Sequence, residues 1–486
     1  MSILMSALTP VTKLIQGGFA AGAKRRVKQE AAPRLPAGTF DHIKEAVSDH
    51  FTVGFGSQVI MPDDIAAKKY YVAGYGFNNP ATGVLDDLTC SAVWIDDNSG
   101  RGALVFVSID AVGMLSRDVQ ALKAEMAGFL KGANCRAIHI MCIHDHAGID
   151  TMGMWGPLPK TGKDPVFLRI VFDGVKQAVK EAYAARKDGQ IYLGRKDAPD
   201  ELQRDIRLPE VYSKTVTRLR FVPADGGKEL YFLNFACHSE ALLDKNSLIS
   251  ADFPGYMRRE VQSRAGVDVI YFVGAIGGMV TTELYSEDNV ADTKKAGLLL
   301  AETVLSIDEE ERVEPNISIL NQKLYIPVEN YALMLMAKLK VLGAESFATG
   351  EGPLRQSMKT QMSYIRFGSL NMLLLPGELF PELVYGGYLS AKESAQGKGP
   401  EINPKPLIEI AGDENLLPFG LADDEIGYVV PPNDFFLSKS APYLDQPKDR
   451  LGRGHYEETN SLGPATAWRI ANTFADMMKI VRESEK

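Results

Sequence analysis

The chain has 486 residues, of which 45% are hydrophobic and 24% are charged, as in an ordinary globular protein. With 53 basic against 62 acidic residues its net charge is −9, so we do not expect nucleic acid as a partner. The four cysteines form no Cys-x-x-Cys pair, and no apolar run reaches the length of a membrane span. This pattern favours a cytoplasmic protein without a disulfide framework.

The first 36 residues predict a helix followed by a linker. Apolar side chains recur at helical spacing from Leu4 to Phe19, and a charged, proline-containing stretch runs from Lys24 to Pro36. The basic residues follow the apolar stretch instead of preceding it, which argues against a secretory signal. We favour an amphipathic helix packed on its own domain or on a partner subunit, with peripheral membrane contact through residues 1–20 as the alternative.

Residues 37–486 alternate between strand and helix patterns, which predicts a single α/β domain of mixed α and β layers. Short apolar runs between turn residues indicate buried strands, and apolar residues three or four apart indicate helices. In chain order we expect a strand over residues 103–109, a helix through residues 119–129, a strand entering residue 144, a helix over residues 164–186, a strand over residues 231–236, a helix from residue 254, strands over residues 269–273 and 370–375, and a helix after residue 464. Residues 345–357 and 391–412 are predicted loops.

Three of the predicted strands end in residues that commonly bind metals, namely His144-Asp145-His146, His238 and Glu378. Side chains alternate along a strand, so the two imidazoles of a His-x-His lie on one side of the chain. Ligand sites of α/β proteins cluster beyond the carboxyl ends of strands, and two His with one Glu are a frequent ligand set of a catalytic zinc. Taken singly, each histidine could instead be a hydrogen-bonded interior residue, and Glu378 could cap a helix over residues 380–384.

Several segments also resemble, in the same order, motifs of the neutral (non-lysosomal) ceramidase family. The family's His-Thr-His-Ser-Gly is similar to residues 144–148, its Ala-Val-His-Pro to residues 236–239, its Ser-Asp-Asn-x-Gly-Tyr to residues 251–256, its Pro-Gly-Glu to residues 376–378, its Tyr-Ile-Thr-Thr to residues 428–431, and its Arg-Tyr-Glu-x-x-Ser-x-x-Gly-Pro to residues 455–464. Residues 53–56 and 108–110 look like the family as well. The resemblance therefore extends from about residue 52 to residue 465.

The resemblance implies a zinc-dependent amidase with one Zn²⁺ per chain, bound by His144, His238, Glu378 and Tyr428. It implies an N-acyl substrate, such as ceramide or a related lipid amide. Zinc supplies a Lewis acid and an activated water at neutral pH, which is the chemistry that amide hydrolysis needs.

The resemblance further implies that His146 and Tyr456 face the substrate carbonyl and the attacking water. Arg207 lies in a segment that looks like the family's Asn-Arg-Ser-Pro and would contact the substrate, although Arg204 competes for that role. His146 would move a proton, and Tyr456 and Arg207 would donate hydrogen bonds to the oxyanion. Asp252 is interpreted as a carboxylate that orients a ligand histidine, with a helix cap at residue 253 as the alternative.

The chain departs from the family's pattern at three places. Residues 274–278, with the sequence Gly-Ala-Ile-Gly-Gly, replace the family's Gly-Asp-Val-Ser-Pro-Asn segment. A longer insertion lies between Tyr428 and Tyr456. The chain ends soon after its last predicted helix, so we expect no C-terminal immunoglobulin-like domain.

Other functions stay open beside the amidase. A metallo-esterase or lactonase would use the same groups. A non-catalytic metal-binding protein would not need His146, Tyr456 and Arg207 beside its ligands. A His-x-His of the amidohydrolase-barrel type would leave no place for Tyr428 and Glu378.

Overall fold

The structure is a computed structural model that describes residues 2–65 and 67–486, with side chains described from residue 10 onward. In chain order, its helices are α1 (Ser2–Gln29), α2 (Ser116–Gly132), α3 (Pro165–Ala184), α4 (Asp252–Ala265), α5 (Asn289–Leu305), α6 (Tyr331–Lys338), α7 (Pro381–Tyr385), α8 (Leu407–Ala411) and α9 (Ala465–Ser484).

The strands vary from two to eleven residues in length. In chain order they are β1 (Phe51–Val59), β2 (Gly83–Val84), β3 (Thr89–Asp96), β4 (Ala103–Ile109), β5 (Cys135–Cys142), β6 (Lys187–Asp197), β7 (Arg204–Asp205), β8 (Thr215–Pro223), β9 (Leu230–Phe235), β10 (Leu248–Ile249), β11 (Asp268–Val273), β12 (Val280–Thr281), β13 (Glu310–Val313), β14 (Ile317–Pro327), β15 (Ser357–Phe367), β16 (Leu370–Leu374), β17 (Glu378–Leu379), β18 (Leu417–Phe419) and β19 (Tyr428–Val429).

Two sheets form the centre of the described part of the chain. The larger is mixed, with the strand order β11-β9-β8-β6-β1-β3-β4-β5 and with β13 also paired to β6. Within it, β4 with β5 and β9 with β11 run parallel, and the other neighbours run antiparallel. The smaller sheet has the order β14-β15-β16-β18.

Apolar side chains hold the two sheets face to face. Phe51 of the large sheet stacks on Phe367 of the small sheet with 5.3 Å between ring centroids, and Phe232 lies 6.0 Å from Phe419. These rings belong to one buried cluster to which both sheets contribute. Full burial of such a side chain stabilises the fold by roughly 2–3 kcal/mol, so this interface accounts for much of the cohesion between the sheets.

Helices cover the outer faces of both sheets. Helices α2 and α3 pack on one part of the large sheet, α4 and α5 pack on the other part, and α6 and α9 pack on the small sheet. The start of α3 follows the predicted pattern, because the Asp164 carboxylate accepts hydrogen bonds from the backbone N–H groups of Val166 and Phe167 and Pro165 occupies the first turn. The resulting order of helix, sheet, sheet and helix confirms the predicted α/β class with mixed layers.

The two ends of the large sheet approach each other. The Ser108 hydroxyl on β4 donates to the Tyr271 carbonyl on β11 at 2.6 Å, although these strands lie far apart in the strand order. Just beyond β5 and β9, Asp145 forms a parallel bridge with Ser239, and the His146 N–H donates to the Ser239 carbonyl at 2.9 Å. The carboxyl ends of β5 and β9 therefore meet.

The N-terminal segment differs from the sequence prediction in its length. Helix α1 continues to Gln29, through the first part of the predicted linker, since no helix-breaking residue lies between Lys24 and Gln29. Its partly buried Ile15 and Phe19 pack on the apolar cluster beneath α9, whereas the side chain of Leu14 is 77% exposed. The side chains of residues 4 and 8, part of the predicted apolar stripe, lie outside the described residues.

Two further findings concern helices. Helix α8 lies within residues 391–412, where the sequence predicts a loop. None of the helices in the described residues has the length and apolarity that crossing a membrane requires.

A buried carboxylate ties the layers together near the site. Asp423 bonds the Nζ atom of Lys123 on α2 at 2.6 Å and the Nδ1 atom of His139 on β5 at 2.9 Å, and it accepts from the Gln361 amide on β15 at 3.2 Å. Burial opposes its ionisation, but the charges of Lys123 and His139 outweigh burial and hold the pKa of Asp423 well below its usual range. Asp423 also has a positive φ of 61°, which asparagine tolerates.

We expect Asp423→Asn to lower the free energy of unfolding by about 3 kcal/mol at neutral pH, because it leaves Lys123 without its buried partner. A carboxyl whose pKa is depressed by folding stabilises the protein above its unfolded pKa of about 4 and ceases to do so as the pH falls through the folded value. The difference between wild type and variant should therefore shrink below about pH 4. Urea unfolding at several pH values measures this difference, and a pH-independent difference would contradict the assignment.

Candidate metal centre

His144 and His238 present their Nε2 atoms to the same carboxylate. The Glu378 Oε2 atom lies 3.2 Å from His144 Nε2 and 3.1 Å from His238 Nε2. On the other side of each ring, Nδ1 donates to a backbone carbonyl, that of Val112 at 2.8 Å for His144 and that of Val280 at 3.0 Å for His238. With Nδ1 donating to a carbonyl, release of the other ring proton to make way for a metal leaves the lone pair on Nε2, which is how metal-binding histidines are commonly held.

Three chain segments bring these groups together. His144 follows β5 and has a φ of 58°, a backbone conformation that residues other than glycine seldom adopt. His238 follows β9, and its N–H donates to the Val280 carbonyl at 2.8 Å. Glu378 begins β17, which pairs in parallel with β19 so that Glu378 lies beside Tyr428. The centre thus forms where the closing ends of the large sheet meet the segment that follows the small sheet.

His144 and His238 stabilise the ionised form of the Glu378 carboxylate. Burial opposes ionisation of Glu378, but the charges of His144 and His238, with the hydrogen bond from His238, outweigh burial and hold the pKa of Glu378 well below its usual range. Burial also lowers the pKa of His144, yet Glu378 outweighs this effect and raises the pKa to about 9. An ionised carboxylate is therefore held at the centre of a buried site.

Several buried polar atoms around Glu378 lack hydrogen-bond partners among the described residues. They are Nε2 of His144, both ring nitrogens of His146, and Oε2 of Glu425. His144, His146 and His238 offer ligand atoms within 4.8 Å of one another, and so do His144, Glu378 and Glu425. Because buried polar atoms are nearly always satisfied, this arrangement fits a bound cation.

His146 occupies a tight position beside the other two histidines. Its Nδ1 atom lies 3.5 Å from Glu240 Oε2, and that carboxylate accepts a hydrogen bond from the Tyr75 hydroxyl at 2.7 Å. The Tyr75 ring contacts the imidazole edge to face, with 5.1 Å between centroids. Gly74 has a φ of 104°, and a Cβ atom there would lie 2.5 Å from the His146 ring. The imidazole is therefore confined on two sides.

The environment of His146 keeps its ring uncharged. Burial, followed by repulsion from His144 and His238, holds the pKa of His146 well below its usual range. The neutral ring has one nitrogen able to accept a proton, as a general base requires.

The hydroxyl groups of Tyr428 and Tyr456 are hydrogen-bonded to each other, and Tyr428 lies beside Glu378. Their Oη atoms are 3.0 Å apart, and the Tyr428 hydroxyl also donates to Met279 Sδ at 3.2 Å. Burial raises the pKa of both phenols well above its usual range, so both hydroxyls keep their protons. Met279 follows residues 274–278, where the sequence departs from the family's pattern.

The Arg207 side chain contacts acidic residues and His455. All of its guanidinium nitrogens donate to groups of the protein, and their acceptors are Asp434, Glu457, Glu458 and His455. The shortest of these bonds, 2.7 Å, joins Nη1 to the Glu457 carboxylate. Its side chain therefore anchors the segment that carries Tyr456 and makes no hydrogen bond to His144, His146 or His238.

Arg204, the competing candidate, contacts Tyr285. Its guanidinium contacts the Tyr285 hydroxyl and stacks over the Tyr285 ring at 4.1 Å from the centroid. The structure brings neither arginine into hydrogen-bond contact with the histidine group.

Asp252 holds a turn and does not orient a histidine. Its carboxylate accepts hydrogen bonds from the backbone N–H groups of Ala241 at 3.0 Å, Leu242 at 3.1 Å and Phe253 at 2.7 Å. Burial raises the pKa of Asp252 to about 6. The interpretation of Asp252 as an orienting carboxylate is therefore wrong, because its acceptor oxygens bind backbone N–H groups of the turn and the helix start and backbone carbonyls fix the rings of His144 and His238.

Three residues at the centre were missed from the sequence. Glu240 lies two residues after His238, and Glu425 lies three residues before Tyr428. Because both are acidic residues close in sequence to a predicted ligand, they could have been identified as candidates from the sequence. Tyr75 carries no such signal, since its contact with Glu240 spans 165 residues.

Comparison with known proteins bears on the fold. The structure is similar to a crystal structure of neutral ceramidase from Pseudomonas aeruginosa, with a TM-score of 0.69, 16% sequence identity, and coverage of 90% of this chain and 75% of that chain. It is similar to a ceramidase complexed with C2, with a TM-score of 0.67, 16% identity, and coverage of 90% and 76%. No protein-family model and no curated protein matches the chain. At this identity the agreement shows the fold, and the chain has the neutral ceramidase fold that its motifs predict.

Proposed function

We propose that the protein is a zinc-dependent hydrolase that cleaves the amide bond of an N-acyl compound, such as ceramide or a related lipid amide. The observation that carries this proposal is the convergence of His144, His238 and Glu378 on one buried point. The ceramidases that share the fold support a lipid amide as the class of substrate.

The residues present fit a zinc ion. Imidazole nitrogen and carboxylate oxygen are preferred zinc ligands, and the buried ligand atoms form two groups within 4.8 Å that share His144. His144, His238 and Glu378 would hold the ion, with Tyr428 as the fourth ligand that the resemblance implies. When bound, zinc supplies a Lewis acid for the carbonyl and an activated water at neutral pH.

We assign proton transfer to His146. Its neutral ring lies beside the proposed ligand histidines, and the Glu240 carboxylate, 3.5 Å from Nδ1, favours the form of the ring that carries its hydrogen on Nδ1. With Nδ1–H directed to Glu240, Nε2 is free to accept a proton from water and to deliver it to the leaving amine. Tyr75 keeps Glu240 in place through its hydroxyl.

We assign stabilisation of the oxyanion to Tyr456. Its phenol stays protonated, and its Oη atom lies 3.0 Å from that of Tyr428, next to the proposed ligands. A hydrogen bond to the developing oxyanion lowers the barrier by roughly 3 kcal/mol. Arg207 would support this role by anchoring the residues after Tyr456, whereas the direct substrate contact implied by the resemblance would require it to leave its carboxylates.

Purified protein is expected to contain about one zinc per chain, and His144→Ala and His238→Ala are expected to lose it, because each substitution removes a ligand. Metal content by mass spectrometry measures the effect. The control is His50→Ala, which removes a partly exposed histidine elsewhere on the protein. Full zinc content in both ligand variants would rule out the proposed site.

The substitution His146→Ala is expected to keep its zinc and to lose hydrolysis of N-acyl substrates by about 10²- to 10⁴-fold, as for other general bases. The assay uses matched amide and ester substrates with the same acyl chain. Faster turnover of the esters alone would identify a metallo-esterase, and unchanged amide turnover would exclude His146 from proton transfer.

The substitution Glu240→Gln is expected to reduce kcat about tenfold or more with KM little changed, because the neutral amide no longer selects the Nδ1–H form of His146. Tyr75→Phe keeps the ring contact with the imidazole but loses the hydroxyl, so a smaller loss is expected. Steady-state kinetics with parallel metal analysis measures both. A loss of zinc together with kcat in Glu240→Gln would show that the residue supports the structure and not the proton transfer.

A further inference from the structure

A second buried glutamate lies beside the proposed metal site. Glu425 is 5% exposed, and one of its carboxylate oxygens lies within 4.8 Å of ligand atoms of both His144 and Glu378. Its Oε1 atom accepts a hydrogen bond from the Gly427 N–H at 2.6 Å. Its Oε2 atom is buried and has no partner among the described residues.

The acids that precede Glu425 in sequence are satisfied by the protein. Asp423 pairs with Lys123 at 2.6 Å, and Asp424 accepts from the Ser116 N–H at 2.7 Å. Of these three successive buried carboxylates, Glu425 is the one that has an oxygen without a partner and that lies within ligand distance of His144 and Glu378. An ionised carboxylate buried without any partner is strongly unfavourable, so Glu425 can carry its charge here only with a cation beside it.

The backbone next to His144 makes room for Glu425. A Cβ atom on Gly113 would lie 2.7 Å from the Cγ atom and 2.8 Å from the Cβ atom of Glu425. Gly113 follows Val112, whose carbonyl fixes the His144 ring. The same turn therefore orients one histidine and admits the second carboxylate.

We propose that Glu425 is a ligand of the metal ion, through its Oε2 atom, together with His144, His238 and Glu378. The proposal rests on the proposed function, because it assumes that a metal occupies this site. It also exceeds the ligand set implied by the sequence resemblance, which contains a single glutamate. Two buried carboxylates side by side repel each other, and a divalent cation between them removes this repulsion.

The test is zinc binding by metal-free protein, measured in competition with a chromophoric chelator. Glu425→Gln keeps an oxygen for the Gly427 N–H and replaces Oε2 by an amide nitrogen that does not bind zinc. Loss of a residue that merely supports a ligand weakens metal binding by about 10- to 100-fold, so loss of a ligand should weaken it by at least about 100-fold. The visible absorption spectrum of cobalt-loaded Glu425→Gln should also differ from that of the cobalt-loaded wild type, because one ligand is missing.

Two matched variants accompany this measurement. Asp424→Asn removes a neighbouring buried carboxylate whose partner is Ser116, and its zinc affinity should stay at the wild-type value. Tyr428→Phe removes the ligand that the resemblance implies, so the two results together separate the contributions of Glu425 and Tyr428.

The outcomes distinguish the inference from the proposed function. Wild-type zinc affinity and an unchanged cobalt spectrum in Glu425→Gln overturn the inference while leaving the histidine site intact. Full zinc content in both His144→Ala and His238→Ala overturns the proposed function itself. If Glu425→Gln does not fold, a zinc-soaked crystal of the wild type decides, with a Glu425 oxygen expected at about 2.0–2.2 Å from the metal. An oxygen well outside that coordination distance overturns the inference.

Discussion

The carboxylate of Glu378 between the imidazoles of His144 and His238 is the contact on which the site depends. An ionised group this deeply buried is stable only when opposite charge or hydrogen-bond donors surround it. The fold meets that condition by bringing the two ends of the large sheet together and placing the segment after β16 against them. Sheet closure and charge pairing therefore support each other.

Much of the architecture could be predicted from the sequence, because its signals are local. The apolar run of β4, the cap and proline of α3, and the change from apolar to polar residues after β5 and β9 each depend on adjacent residues. The convergence of the strand ends follows from a general property of α/β sheets. Residues that act through distant partners could not be predicted, as Arg207 shows with acceptors 227 to 251 residues away.

Asp252 illustrates a different limit of sequence interpretation. A carboxylate at the start of a helix, near a predicted ligand, is equally consistent with a cap and with an orienting group. In the structure its three donors are backbone N–H groups, two in the turn at Ala241 and Leu242 and one at the start of the helix, so it binds no histidine. The ligand rings are oriented by main-chain carbonyls instead, and side-chain substitutions do not remove those acceptors. The His146 ring has no such carbonyl among its described contacts. Its Nδ1 atom instead lies 3.5 Å from the carboxylate of Glu240.

The separation of the ligands along the chain has a consequence for biogenesis. His238 and Glu378 meet across 140 residues, and His144 lies earlier still. A growing chain that has exposed both histidines still lacks the carboxylate and the small sheet that carries it into place. If the proposed metal site is correct, the metal can be bound only after most of the chain has been synthesised. The supply of that metal would then affect the stability of the finished protein as well as its proposed activity.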